Sequence, residues 1–131
     1  MIAGQAGSAA SGEASTLAAV ERFNQAFNRQ DIEATMAAMT DACVFENTYP
    51  PPDGRRCAGQ AEVRREFSGF FEASPDALFE LEEQFAAGDR CVVRWTYRWV
   101  NDDGSPGHVR GVDIFTVRDG KVAEKLSYVK G

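Results

Sequence analysis

The sequence predicts an α+β fold, and three observations carry that prediction. Apolar residues recur at helical spacing through the first half of the chain, the period falls to two from residue 78 onward, and short turn signals separate four strand-like runs there. Three helices ahead of an antiparallel meander bury their apolar faces best when a curved sheet wraps around the helices. One domain suffices for a chain of 131 residues, which can bury roughly two thirds of its unfolded surface without a metal or a disulfide.

Residues 1–14 are mostly Gly, Ala, Ser and Gln, with no basic start and no apolar run of signal-peptide length, and are expected to form a disordered tail ahead of a domain over 15–131. Leu17, Val20, Phe23, Ala26 and Phe27 then repeat at steps of three and four, which predicts a helix over about 15–28. Asp31 is placed to cap a second helix through Ile32, Met36 and Met39, with Glu33 in its first turn where the helix dipole favours an acid. A short strand is expected over Cys43-Val44-Phe45-Glu46-Asn47. Pro50, Pro51 and Pro52 cannot donate to a sheet ladder, so the segment to Arg56 reads as a loop. A third helix carries Val63, Phe67, Phe70 and Phe71 from near Gly59 to just before Pro75. The four strands of the meander are Leu78 to Phe85, Cys91 to Val100, His108 to Val117 and Val122 to Val129. Ala87-Gly88-Asp89, Asn101-Asp102-Asp103-Gly104 and Asp119-Gly120 mark their turns.

Charge narrows the partners. With 14 basic and 20 acidic side chains the formal charge is -6, the wrong far field for phosphate backbones or anionic lipid. Neither nucleic acid nor a membrane is expected as a partner, and no run of about eighteen apolar residues offers a membrane span. Cys43, Cys57 and Cys91 form no C-x-x-C pair and leave an odd thiol, which fits a reducing compartment, the cytoplasm. His108 is the only histidine, so a three-histidine zinc site is excluded, and no other Cys/His spacing supplies a metal site. Arg55 and Arg56 precede Cys57, but with no partnering base the thiol is read as inert.

Alternation along the second long strand separates Cys91, Val93, Trp95, Tyr97 and Trp99 from Arg90, Val92, Arg94, Thr96 and Arg98. The aromatic side should meet the helices that carry Phe23, Phe27, Phe67 and Phe70. These aromatics are either plain core or the walls of a tapered cavity suited to a small apolar ligand. The basic side, with Arg94 and Arg98, is expected on the outer face of the sheet, opposite Glu80 or Glu82, and in a homodimer interface. On the next strand Gly111, Asp113, Phe115 and Val117 share a face. If that face points inward, burial makes Asp113 a candidate acid or base; the structural alternative pairs it with Arg94, Arg110 or a tyrosine hydroxyl.

Several stretches resemble the nuclear transport factor 2-like superfamily, and within it the SnoaL-like proteins. They are Val20-Glu21-Arg22-Phe23 with Asp31-Ile32-Glu33-Ala34, Phe45-Glu46-Asn47, Gly59 to Phe71, Gly111-Val112-Asp113-Ile114-Phe115, and Arg118-Asp119-Gly120-Lys121-Val122. The resemblance covers about residues 15–130. It implies a cystatin-like cone, three helices packed in a curved mixed sheet, with a deep pocket, frequent homodimers and functions from isomerase and cyclase to non-catalytic binding. Ketosteroid isomerases of this fold use an Asp base, a Tyr and a protonated Asp; the matching positions hold Asn47, Phe23 and Asp113. The Asp-Arg-Asp group of limonene-epoxide hydrolases falls on Trp95, Tyr97 and Ser127, which excludes that chemistry. SnoaL-type polyketide cyclases place their acid/base Asp on the strand of Asp113.

Two functions follow as expectations. In the first, a cofactor-independent enzyme acts on a small apolar carbonyl compound. Asp113 transfers the proton, Asn47 with Tyr49 or Tyr128 holds the oxygen, and Phe23, Phe27, Phe45, Phe70, Trp95, Tyr97 and Phe115 form the walls. In the second, the same cavity binds a ligand, or the dimer acts as a scaffold, without chemistry; Asn47 in the place of a base favours it.

Overall fold

The computed structural model describes residues 2–130, with side chains from Gly12 onward. Its elements are α1 (Ile2–Asn28), α2 (Ile32–Ala37), β1 (Met39–Glu46), β2 (Arg56–Ala58), α3 (Gln60–Ala73), β3 (Leu78–Ala87), β4 (Arg90–Val100), β5 (Pro106–Arg118) and β6 (Lys121–Val129). The six strands form one sheet in the order β2-β1-β6-β5-β4-β3. Only β1 and β6 run parallel; the other neighbours are antiparallel, which makes the sheet mixed. The helices pack on its inner face, the α+β arrangement expected from the sequence.

Helix α1 runs over Ile2–Asn28 and so begins ahead of residue 15, while the tail expected over residues 1–14 lies largely outside the residues whose side chains are described. Alanine has the highest helix propensity, and Ala3, Ala6, Ala9, Ala10 and Ala14 with no proline let the helix extend. Packing against the sheet is recorded from Glu13, whose carboxylate accepts from the Gly88 amide. Thr16 then donates to the Gly88 carbonyl at 2.7 Å. Asp31 caps α2 as expected, its carboxylate accepting from the Ala34 amide. Met39, expected in α2, instead opens β1 and is fully buried there.

Strand β2 is absent from the sequence reading, which left the segment to Arg56 as loop. Three residues are too few to show a period, yet Cys57 pairs with Phe45 across the ladder and is buried. The connection folds back so that the Asn47 amide donates to the Arg55 carbonyl. Gly54 makes this closure possible: at φ +78° its position is so close to the Asn47 carbonyl that a Cβ would overlap it.

Phe23, Phe67, Phe115, Val20, Val63 and Val122 form the centre of the core between helices and sheet. Cys43, Cys57 and Cys91 are free and buried. Burial pushes the Cys91 thiol up to about 11 and also raises Cys57, against the weaker pull of Arg55 and Arg65. No helix among the described residues is long and apolar enough to cross a membrane.

Candidate functional site

The strand alternation read from the sequence appears in the sheet: Cys91, Val93 and Trp95 are buried on the inner face, with Tyr97 and Trp99 half-buried toward its mouth. Trp95 stands opposite Gly111 on β5, and Trp99 opposite Gly107. A Cβ at Gly111 would come within 2.7 Å of the Trp95 ring and 2.4 Å of the Tyr128 carbonyl. The absence of a side chain there is what lets the indole lie flat across β5.

Asp113 points into the molecule and is 4% exposed. Its partners are neither Arg94, Arg110 nor a tyrosine. In the β5–β6 register Asp113 faces Ser127 and Phe115 faces Lys125, so the inner face of β6 delivers Ser127 and Lys125 to the carboxylate. The Ser127 hydroxyl donates to Asp113 Oδ1 at 2.6 Å, Lys125 Nζ donates to Ser127 Oγ at 3.0 Å, and Nζ lies 3.4 Å from Asp113 Oδ2. Lys125 is only 6% exposed, and its ammonium sits over the rings of Phe45 and Phe27 at 4.7 and 5.5 Å. A buried carboxylate and ammonium hold their charges by pairing, and the hydroxyl and the aromatic faces complete that pairing. The arginines lie on the opposite face: Arg94 pairs with Glu82 and Glu83, Arg98 with Glu80, and Arg110 with Glu82. Hydrogen bonds from Arg110 and Thr96 hold the Glu82 carboxyl below its usual range.

Two cavities meet at this group. One, of about 290 Å³, opens between α1 and β3 and is bordered by Asp113, Val93 and a polar rim of Glu21, Asn24, Gln25 and Gln84. The other, of about 240 Å³, is aromatic: Phe45, Phe70, Tyr97 and Trp99 line it with Ser127 and Asn47. Phe27, Phe79, Trp95 and Lys125 border both. The Trp95 indole Nε1 is buried and has no hydrogen-bond partner.

Of the residues expected to act together, Phe27, Phe45, Phe70, Trp95 and Tyr97 line the aromatic cavity. Asn47 also borders it, but its amide donates to Glu66 at 2.8 Å and its carbonyl accepts from the Thr48 amide. Asp113 borders the other cavity, reaching the aromatic one through Ser127. Phe23 and Phe115 are fully buried in the core and border neither. Tyr49 is 73% exposed in the proline loop, and Tyr128, next to the inward Ser127, points to the outer face and is 50% exposed. Neither tyrosine reaches the cavities. Lys125 was missed; its sign in the sequence is a lysine at the alternate position to Ser127 on the last strand. Among the described residues no three His, Cys, Asp or Glu side chains converge as a metal site would require.

Residues 20–125 match the SnoaL-like domain family. A solved NTF2-like protein of unknown function from Mesorhizobium loti is 39% identical, the match covering 91% of this chain and 93% of that one at a TM-score of 0.77. TerC, co-crystallised with polyporic acid, is similar at 20% identity over 88% and 92% with a TM-score of 0.75. An uncharacterised cystatin-fold protein from Novosphingobium aromaticivorans is 20% identical over 86% and 97%, with a TM-score of 0.73. No curated protein matches the chain. With the match spanning most of the folded unit, from Val20 in α1 to Lys125 in β6, the chain belongs to the SnoaL-like domain family.

Proposed function

We propose that this chain binds a small, mostly apolar carbonyl compound in the aromatic cavity and moves a proton on it, as a cofactor-independent isomerase or cyclase. The observation that carries this reading is the buried Asp113–Ser127–Lys125 group, whose Ser127 and Lys125 stand in the wall of a largely aromatic cavity that Asn47, Thr48 and Glu66 also border. An apolar cavity with a few convergent polar groups is the usual form of a small-molecule site. TerC, a neighbour in this fold, was co-crystallised with polyporic acid, which agrees with a small organic ligand.

Asp113 acts as the base through Ser127. The Ser127 oxygen takes a proton from the carbon beside the ligand's carbonyl while the Ser127 hydroxyl proton passes to Asp113 Oδ1, and the electron pair of the broken C–H bond moves toward the carbonyl oxygen. Return of the proton to a different carbon gives an isomer. Deuterium exchange at the methyl group of 2-acetylnaphthalene in D2O, followed by NMR, tests this step. The native chain is expected to accelerate exchange and Asp113→Asn to lose at least about 100-fold of that acceleration. Exchange at the buffer rate with the native chain, or an unchanged rate in Asp113→Asn, would overturn it.

A second reading, binding without turnover, is favoured by Asn47, which cannot abstract a proton and is held by Glu66. Its signature is saturable ligand binding with no exchange.

The outer sheet face supports a homodimer. Phe85, Val92, Val112, Ile114, Leu126 and Tyr128 place apolar surface there beside the arginine–glutamate pairs, with Phe85 and Tyr128 half exposed. Sedimentation at micromolar concentration is expected to show a dimer; a monomer would contradict it. The three buried free thiols support a cytoplasmic setting.

A further inference from the structure

Asn47 and the tyrosines were expected to receive the ligand's oxygen; the tyrosines lie away from the cavities, and Asn47, though it borders the aromatic one, is engaged with Glu66 and the Thr48 amide. Two other donors belong to residues of the cavity wall, the Lys125 ammonium and the Trp95 indole N–H, whose nitrogen is itself buried. Trp95 is 5% exposed, borders both cavities, and has a buried donor with no acceptor in the protein. Buried donors are nearly always satisfied, so this one calls for an occupant of the cavities it borders. Lys125 borders the same two cavities.

We propose that Trp95 Nε1–H and the Lys125 ammonium together receive the oxygen of a neutral ketone or aldehyde, and that the site discriminates against carboxylates. The discrimination follows from charge. Asp113 already balances Lys125 at 3.4 Å, so a carboxylate would add a second, uncompensated negative charge to a buried site. A neutral carbonyl needs only donors. During enolisation its oxygen gains negative charge beside the ammonium, which makes the pair stabilising where charge develops. This inference rests on the proposed aromatic ligand site and names what that site recognises.

Three probes of one shape test it: 2-acetylnaphthalene, its hydrocarbon counterpart 2-isopropenylnaphthalene, and 2-naphthoate. Binding is followed by the indole ¹H–¹⁵N signals of the intact chain. There are two tryptophans, and the Trp99 signal is assigned by Trp99→Phe. The Trp99 N–H already donates to Asn101 at 2.9 Å, so the added hydrogen bond to the ketone is read at Trp95 as the difference between the ketone and hydrocarbon spectra. The ketone is expected to bind about tenfold more tightly than the hydrocarbon and the naphthoate, and to shift the Trp95 N–H downfield. Trp95→Phe should remove the ketone's advantage over the hydrocarbon. Asp113→Asn, which leaves Lys125 without its counter-charge, should raise naphthoate affinity to at least that of the ketone. Equal binding of ketone and hydrocarbon with no Trp95 shift would overturn this inference while leaving the apolar site standing. Failure of all three probes to bind would overturn both.

Discussion

Asp113→Ala is expected to lower the free energy of unfolding by about 3–5 kcal/mol, a large share of the roughly 5–15 kcal/mol that holds a domain together. The carboxylate and ammonium are both nearly inaccessible, at 4% and 6% exposure. Removing the carboxylate leaves a buried cation with one hydroxyl and two ring faces for company. Asp113→Asn should be milder, because an amide oxygen still accepts from Ser127, yet it leaves the ammonium unbalanced. Lys125 is the reason a stability loss is expected even from so small a change. Replacing both charges, as Asp113→Leu with Lys125→Met, should recover most of the loss, since an apolar pair avoids the desolvation of two ions. Urea unfolding of the two single variants and the double variant checks this. A loss below about 1 kcal/mol in Asp113→Ala would mean that Lys125 extends its long stem and takes its charge to water.

Phe23→Ala is expected to cost about 3–5 kcal/mol of stability through a cavity in the core, and Phe70→Ala clearly less. Phe23 is fully buried, with the rings of Phe27, Phe67 and Phe115 at 5.8, 5.9 and 5.8 Å. Its removal opens space on three sides that cannot close together. Phe70 is only partly buried and borders the aromatic cavity, stacking on Phe27 and tilting against Tyr97. Truncating it should chiefly weaken ketone binding, while unfolding follows the native curve closely. Thermal melts paired with binding of 2-acetylnaphthalene separate the two. Equal stability losses, or ligand binding lost with Phe23 and kept without Phe70, would contradict the division between core and wall.

That division shows where sequence reading stops. Helical spacing from Leu17 to Phe27 and strict alternation from Cys91 to Trp99 are period signals, strong because they repeat, and they placed the helices and the meander. Strand β2 has three residues and no period to read. Met39 is apolar and suits either a helix end or a strand start, so pairing with Val122 on β6 decides it. Alternation says which residues share a face but not how far each lies from the mouth of the cone, and for that reason Phe23 and Phe115 were grouped with Phe70. Tyr128 has the opposite parity to Ser127 and so points outward once the β5–β6 register is known. Lys125 was hidden by the ordinary behaviour of lysine, which is rarely buried unless paired. Asp113 was legible because an acid between Val112 and Ile114 stands out; its partner became visible only through the register that brings β6 beside it.

The three residues are held to work as a unit, with Asp113 acting on the ligand through Ser127. The exchange rate of 2-acetylnaphthalene with Ser127→Ala is the most direct measure of that. The expected result is a rate reduced to the level of Asp113→Asn with ketone affinity little changed, and no further loss when both substitutions are combined. A Ser127→Ala chain that exchanges at the native rate would contradict it.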